Sequence, residues 1–157
     1  MSKATRATRM LERAGVAFTL HSYVYEPGAD HIGLHAAAAL NEPPERVLKT
    51  LMALVDGKPV CVVIPSDREV AMKKLAAALS GKSAQMMPAA DAERISGYKV
   101  GGISPFGQMR SLPTAIEMQA LAHEWVFVNG GQRGLQIRLD PNIVVQLLAA
   151  VAATLVA

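Results

Sequence analysis

The stretch that decides the fold is VLKTLMALVDGKPVCVVIP, residues 47–65. Two apolar, β-branched runs flank Asp56-Gly57, a dipeptide whose residues tolerate the positive φ of a tight two-residue turn. The spacing predicts an antiparallel hairpin. Lys49 interrupts the first run, with Val47 and Leu51 on its face and Leu48 and Thr50 on the other. A lysine in such a strand either faces water or sits in a cleft, where an anion would hold it charged.

Outward from the hairpin, helical and extended patterns interleave. Residues 3–14 read as a helix stopped by Gly15, and VAFTLHSYVY (16–25) as a strand. GLHAAAALN (33–41) reads as a helix, and the prolines of NEPPERV as the start of a short helical turn. Ser66 or Asp67 is placed to cap a helix through REVAMKKLAAAL (68–79). SAQMMP is a short strand, AADAERIS a helix closed by Gly97, and TAIEM, WVFVNGG and GLQIRLD are strands. Asp140-Pro141 opens a last helix that is apolar nearly all round, so it either packs on the core or meets another chain. Hairpins without strict βαβ alternation imply an α/β (α+β) fold, a mixed, largely antiparallel, barrel-like sheet with helices packed outside. A dinucleotide-binding α/β architecture fits poorly.

The chain has 157 residues, 51% of them apolar and 18% charged, with a net charge of +3. That suits one folded domain over 1–157 and excludes disorder. The basic bias permits a polyanionic partner without requiring one. One cysteine, Cys61, leaves no disulfide framework and fits a reducing cytoplasm, with a buried inert thiol as the default. The N-terminus lacks the apolar core of a signal peptide. IVVQLLAAVAATLVA, interrupted by Gln146 and Thr154, is too short for a membrane span. A soluble, cytoplasmic protein with no membrane association is expected.

Two glycine clusters carry the candidate chemistry. YKVGGISPFGQ (98–108) has neither the Walker spacing nor the G-x-G-x-x-G pattern, and Lys99 precedes its glycines. It is either a tight connection or a place where backbone N–H groups approach a ligand. NGGQRG (129–134) is a glycine-rich hairpin, or the second wall of a pocket. His31 and His35 have a helical metal-pair spacing but no evident third ligand, so no metal is expected, nor any cofactor. No nucleophile motif supports serine or cysteine catalysis. Lys73, Lys74, Lys82, Arg110 and Arg133 supply basic surface that could face RNA.

Taken in order, LHSYVYEPGADHIG, RVLKTLMAL, GYKVGGISPFGQ and NGGQRGLQIRLDP resemble the YbaK/EbsC family, relatives of the editing domain inserted in bacterial prolyl-tRNA synthetases. The resemblance spans roughly residues 5 to 150 and implies hydrolysis of misacylated tRNA in trans, with Cys-tRNA(Pro) or another small aminoacyl-tRNA as substrate. It places the family's lysine on Lys49 and its G-x-x-x-P loop on Gly101, Gly102, Ile103, Ser104 and Pro105. Tyr23, Gly130 and Gly131 also match, and Thr50 joins them as a substrate-binding candidate. Asn129 and Gln136 depart from the pattern, standing where cysteine-clearing members have Ser and often Asp, and His35 replaces an acidic residue. The N–H groups of Gly101, Gly102 and Ile103 would hold the ester oxyanion. Lys49, a catalytic candidate, would hold the terminal phosphate or ribose, or stabilise developing charge. The nucleophile would be the substrate's own thiol, or a water held by the ribose hydroxyl or Asn129. The implied partners are the aminoacyl-tRNA 3′ end and a prolyl-tRNA synthetase. A non-catalytic tRNA- or synthetase-binding module, and a hydrolase of another small ester, remain as alternatives.

Overall fold

The structure, a computed structural model, describes residues 4–26 and 32–157, the side chains of residues 32 and 33 excepted. The hairpin forms as read. β2 (Leu48–Val55) and β3 (Lys58–Pro65) pair antiparallel with Val55 opposite Lys58. Asp56 and Gly57 take φ of 51° and 80°, the doubly positive turn that matches strand twist. β3 is buried from Val60 to Pro65, so it serves as the central strand of its sheet.

Five strands run in the order β4 (Ala84–Met86), β2, β3, β5 (Thr114–Glu117), β8 (Val151–Ala153). A second sheet orders β1 (Thr19–Ser22), β7 (Leu135–Leu139), β6 (Val126–Asn129). Only β3–β5 and β5–β8 pair parallel; the other described pairings are antiparallel. The sheets meet through one bridge, Val47 to Phe127, and no barrel closes. The mixed α/β class holds with an open seam between the sheets.

Side-chain alternation along β2 and β3 builds two cores. Leu48, Met52, Cys61 and Val63 join α1 (Arg6–Ala14), α4 (Ala89–Ser96) and the second sheet; Ala53, Val55, Val62 and Ile64 face α3 (Met72–Ala78) and the C-terminus. A smaller cluster joins Val47 and Phe127 to Ala36 and Ala37 of α2 (Ile32–Ala39). Thr5 and Thr8 form a reciprocal capping box on α1, and Gly15 ends it at φ 70°.

Three expectations change. The strand over 16–25 shortens to β1. The helix expected over 68–79 begins only at Met72, and neither Ser66 nor Asp67 caps it. The Ser66 hydroxyl instead donates to Pro44 O (3.1 Å), and Val70 bridges to Val156. The apolar C-terminal run is not one helix. Asp140 Oδ1 accepts from Asn142 N–H (2.9 Å) at the start of α5 (Asn142–Leu148), Ala149 turns the chain at φ 50°, and β8 joins the sheet. Buried Glu117 makes this possible. Its carboxylate accepts from the N–H groups of Leu155 (2.8 Å), Val156 (3.3 Å) and Gln119 (3.1 Å), so no backbone donor goes unpaired there.

Candidate active site

From Leu48 to Met52, the edge of β2 opposite β3 has no strand partner among the described residues, because β4 pairs only with Ala53–Val55 and the bridge takes Val47. A cavity of about 480 Å³ fills this gap between the sheets. Its walls include Tyr23, Lys49, Thr50, Gly101, Ile103, Asn129 and Gln136 of the residues named from sequence. Gly102, Ser104, Pro105, Gly130 and Gly131 do not line it.

The reason is visible in the packing. Glycine loop 98–108 is tied down by Tyr98 Oη donating to Phe106 O (2.7 Å), Gln108 Nε2 to Ser104 O (3.0 Å) and Val100 N–H to Glu93 Oε2 (2.8 Å). Gly102 N–H donates to Lys99 O (2.8 Å), closing a turn in which Gly101 takes φ 91°. That N–H is therefore engaged. Those of Gly101 and Ile103 have no hydrogen-bond partner among the described residues.

The second loop is bolted onto the first. Asn129 Nδ2 donates to Gly101 O (3.0 Å), while its Oδ1 accepts from Gly131 N–H (2.7 Å) and Gln132 N–H (3.3 Å). Arg133 Nε donates to Val100 O (2.9 Å). A Cβ on Gly102 would stand 2.9 Å from Arg133 N, so glycine there is a condition of loop contact. Asn129 is thus tied through Nδ2 to Gly101 and through Oδ1 to its own loop.

Lys49 and Thr50 leave β2 on opposite sides, as alternation demands. The Lys49 stem lines the cavity with its side chain 21% exposed, and its ammonium lies 3.6 Å from the exposed carboxylate of Glu69. With Glu69 exposed, a pair of this kind contributes about 0–1 kcal/mol and holds the ammonium only weakly.

Among the described residues, three buried side-chain polar atoms have no hydrogen-bond partner: Tyr23 Oη, Thr50 Oγ1 and Gln136 Oε1. All three belong to cavity-lining residues, and Gln136 is only 4% exposed. Burial pushes the Tyr23 phenol up, offset in part by the nearby Gln136 amide. Leaving each such group bare costs about 1–3 kcal/mol, and a ligand that pairs with them recovers it. His35, on α2, contacts the Tyr23 ring edge (6.1 Å) and Val24 O (3.1 Å). His31 lies outside the described residues. Among the described residues no group of three His, Cys, Asp or Glu side chains is placed to hold a metal. Cys61 is buried away from this chemistry, its thiol pushed up to about 12 by burial.

The model of the aminoacyl-tRNA editing domain matches residues 26–147. The chain belongs to this family. This editing domain is 33% identical over 145 residues to an Enterococcus faecalis protein named "Putative Cys-tRNA(Pro)/Cys-tRNA(Cys) deacylase EbsC", covering 91% of the chain and 87% of that relative. It is 40% identical over 68 residues to a proline–tRNA ligase of Caldicellulosiruptor saccharolyticus, a match of 43% of the chain but 12% of the ligase. A solved structure described as "a putative trans-editing enzyme for prolyl tRNA synthetase" superposes with a TM-score of 0.82 at 19% identity, covering 100% of this chain and 98% of that one. The hypothetical protein APE2540 superposes at 0.84 with 23% identity over 98% and 100% of the two chains. At those identities the likeness speaks for the fold.

Glu93, Tyr98 and Glu69 were not singled out from sequence. Only Glu93 left a signal, an acidic residue on the helix leading into a glycine loop.

Proposed function

We propose that this editing domain acts in trans as an aminoacyl-tRNA deacylase that clears a small misattached amino acid, with Cys-tRNA(Pro) as the leading substrate. The observation that carries it is that one cavity is lined by Tyr23, Thr50, Gln136, Gly101 and Ile103, whose three buried side-chain atoms and two backbone N–H groups have no hydrogen-bond partner among the described residues.

The ester carbonyl would sit against Gly101 and Ile103, whose N–H groups stabilise the oxyanion; one such donor is worth roughly 100- to 1000-fold in rate. Tyr23, Thr50 and Gln136 would pair with the terminal ribose and the α-amino group. Lys49 would leave Glu69 for the terminal phosphate. Among the described residues the cavity lining holds no Cys, His, Asp or Glu, and its Ser66 hydroxyl is engaged with Pro44 O, so we assign the attack to the substrate. The cysteinyl sulfur adds to its own carbonyl, the C–O ester bond breaks, and the thiol proton passes to the ribose oxygen, leaving a cyclic thioester that water opens. A substrate without a thiol requires water directly, held by the ribose hydroxyl. Met52, Met86 and Met87 in the wall suit a small, polarisable side chain. A prolyl-tRNA synthetase would supply tRNA selection, a role favoured by the matches to proline–tRNA ligases.

The test is deacylation of Cys-, Ser- and Ala-charged tRNA(Pro) by wild type and Lys49→Ala. Cys-tRNA is cleared fastest, and Lys49→Ala loses at least tenfold. No loss of charged tRNA from any substrate sinks the enzyme reading, and full activity of Lys49→Ala sinks the site assignment.

A further inference from the structure

Helix α1 carries Arg6, Arg9 and Arg13, all exposed, at i, i+3 and i+7. At 100° per residue these fall within a sector of about 60°, along roughly 10 Å of helix axis. With Met10 they line a separate groove of about 270 Å³. Among the described ion pairs none involves these three, and Glu12, three residues beyond Arg9, does not pair with it. The first turn carries no acidic residue, and Arg6 lies beside the Tyr98 phenol, an uncharged neighbour at neutral pH. A row of guanidinium groups without counter-charges is an electrostatic cost unless an anion joins it.

The helix is also fixed to the loops of the cavity. Thr5 Oγ1, its N-cap, donates to Gly130 O (2.5 Å). Gly131 packs against Thr5 and Tyr98, and Gly107 against the Arg6 backbone, so closely that a Cβ on either would come within 3 Å of a neighbour. A chain of contacts therefore runs from cavity wall to arginine row: Gly101, Asn129, Gly130, Thr5, Arg6. By contrast, Lys74 and Arg133 are committed internally, to Val156 O (3.0 Å) and Val100 O (2.9 Å).

We infer that the Arg6–Arg9–Arg13 row of α1 is the phosphate-binding rail for the RNA stem that carries the aminoacyl end. The inference rests on the tRNA reading of the cavity but on separate residues. Arginine suits the task, because its planar fork pairs with phosphate oxygens and it stays charged at any working pH. Three such contacts release counterions, so they should contribute about 2.7 to the slope of log affinity against log salt. Between 50 and 200 mM salt that corresponds to about a 40-fold loss of affinity owed to the row.

The experiment measures binding of uncharged tRNA by fluorescence anisotropy across a salt series, for wild type, the triple variant R6Q/R9Q/R13Q and the single variant R13Q. The triple variant should bind more weakly at low salt with its slope reduced by about 2–3, and R13Q should lose about 1. Turnover of a saturating aminoacyl-ACCA oligonucleotide, which lacks the stem, should stay within twofold of wild type. R13Q alters one exposed side chain in the last turn, so it remains informative if the triple variant folds poorly. An unchanged slope in R13Q overturns the inference, as does an unchanged affinity in a folded triple variant. That outcome would leave the row to an acidic protein surface. Binding that depends on the row, without deacylation of any charged tRNA, would keep the rail and discard the deacylase reading.

Discussion

Gly102→Ala isolates the contact on which the site depends. Gly102 does not take a left-handed φ, so alanine brings no backbone strain. The added Cβ would stand 2.9 Å from Arg133 N and 3.1 Å from Gln132 C, both backbone atoms that cannot rotate away. Reaching an ordinary separation of 3.4 Å moves the loops apart by about 0.5 Å. The two bonds that span them, Asn129 Nδ2 to Gly101 O at 3.0 Å and Arg133 Nε to Val100 O at 2.9 Å, then stretch toward the limit of useful geometry. Overpacking of this size costs about 2 kcal/mol, which for a chain of this length lowers Tm by about 4–8 °C. The catalytic effect should be larger in relative terms. Gly101 and Ile103 shift with the loop, and a misplacement of about half an ångström lowers kcat by roughly 10- to 100-fold. Gly107→Ala is the matched control: it forces a Cβ to 2.6 Å from the Arg6 backbone at φ 69°, away from the cavity. It should destabilise at least as much yet leave turnover per folded molecule near wild type. Thermal melts and single-turnover deacylation on both variants give the answer. Wild-type Tm and kcat for Gly102→Ala would refute the loop contact, and equal catalytic loss in Gly107→Ala would refute the placement of the donors.

Thr50→Val removes an unpartnered buried hydroxyl, so chemical denaturation should show a gain of about 1 kcal/mol while turnover falls at least tenfold, a pairing that a structural threonine would not give. Glu69→Gln frees the Lys49 ammonium; stability should change by less than about 1 kcal/mol and KM for charged tRNA should fall, whereas Lys49→Ala raises it. The Cys61 thiol lies at about 12 in the folded chain against 9.0 for its unperturbed value. Between those pH values the unfolded chain has lost a proton that the folded chain keeps. Stability is therefore undiminished below pH 9 and falls above it, with a slope approaching about 1.4 kcal/mol per pH unit that Cys61→Ala abolishes in alkaline denaturation curves.

What sequence made legible was local. Asp56-Gly57 sets the hairpin because both residues can take positive φ, and Gly15 and Gly97 stop their helices for the same reason. The misreadings came where a distant partner outcompeted a local preference. Ser66 has cap chemistry, but Pro44 O reaches its hydroxyl first. The C-terminal run has helical composition, but an open edge of β5 and the carboxylate of Glu117 offered its backbone better partners. In the site, the family resemblance pointed to Tyr23, Lys49, Gly101 and, as a departure from the pattern, Gln136, and all four line the cavity. They did not reveal Glu69 or Glu93, whose roles depend on which loops come to rest beside them.

The glycine clusters show why a glycine-rich motif is poor evidence for a ligand until its neighbours are known. Gly102, Gly107, Gly130 and Gly131 each face protein atoms at a separation that admits no Cβ, and those atoms belong to the other loop, to α1 or to β7. Their absence of side chains serves assembly, because it lets two loops and a helix N-terminus stack within hydrogen-bond reach. Gly101 differs. It too admits no Cβ, which would come 2.8 Å from Tyr25 Oη, but it lines the cavity and its N–H has no hydrogen-bond partner among the described residues, whereas that of Gly102 is engaged by Lys99 O. The carbonyl of the peptide that carries this N–H, Val100 O, accepts from Arg133 Nε (2.9 Å), and Asn129 Nδ2 fixes the following peptide through Gly101 O (3.0 Å). A donor held from behind in this way is preorganised, which is what stabilising a short-lived oxyanion demands. Asn129→Ala removes one amide from the cavity wall and loosens the Gly101–Gly102 peptide, and with it the turn that sets both donors. It should lower kcat by about 10- to 100-fold with KM nearly unchanged, and an equal rise in KM at constant kcat would show that Asn129 instead holds the substrate.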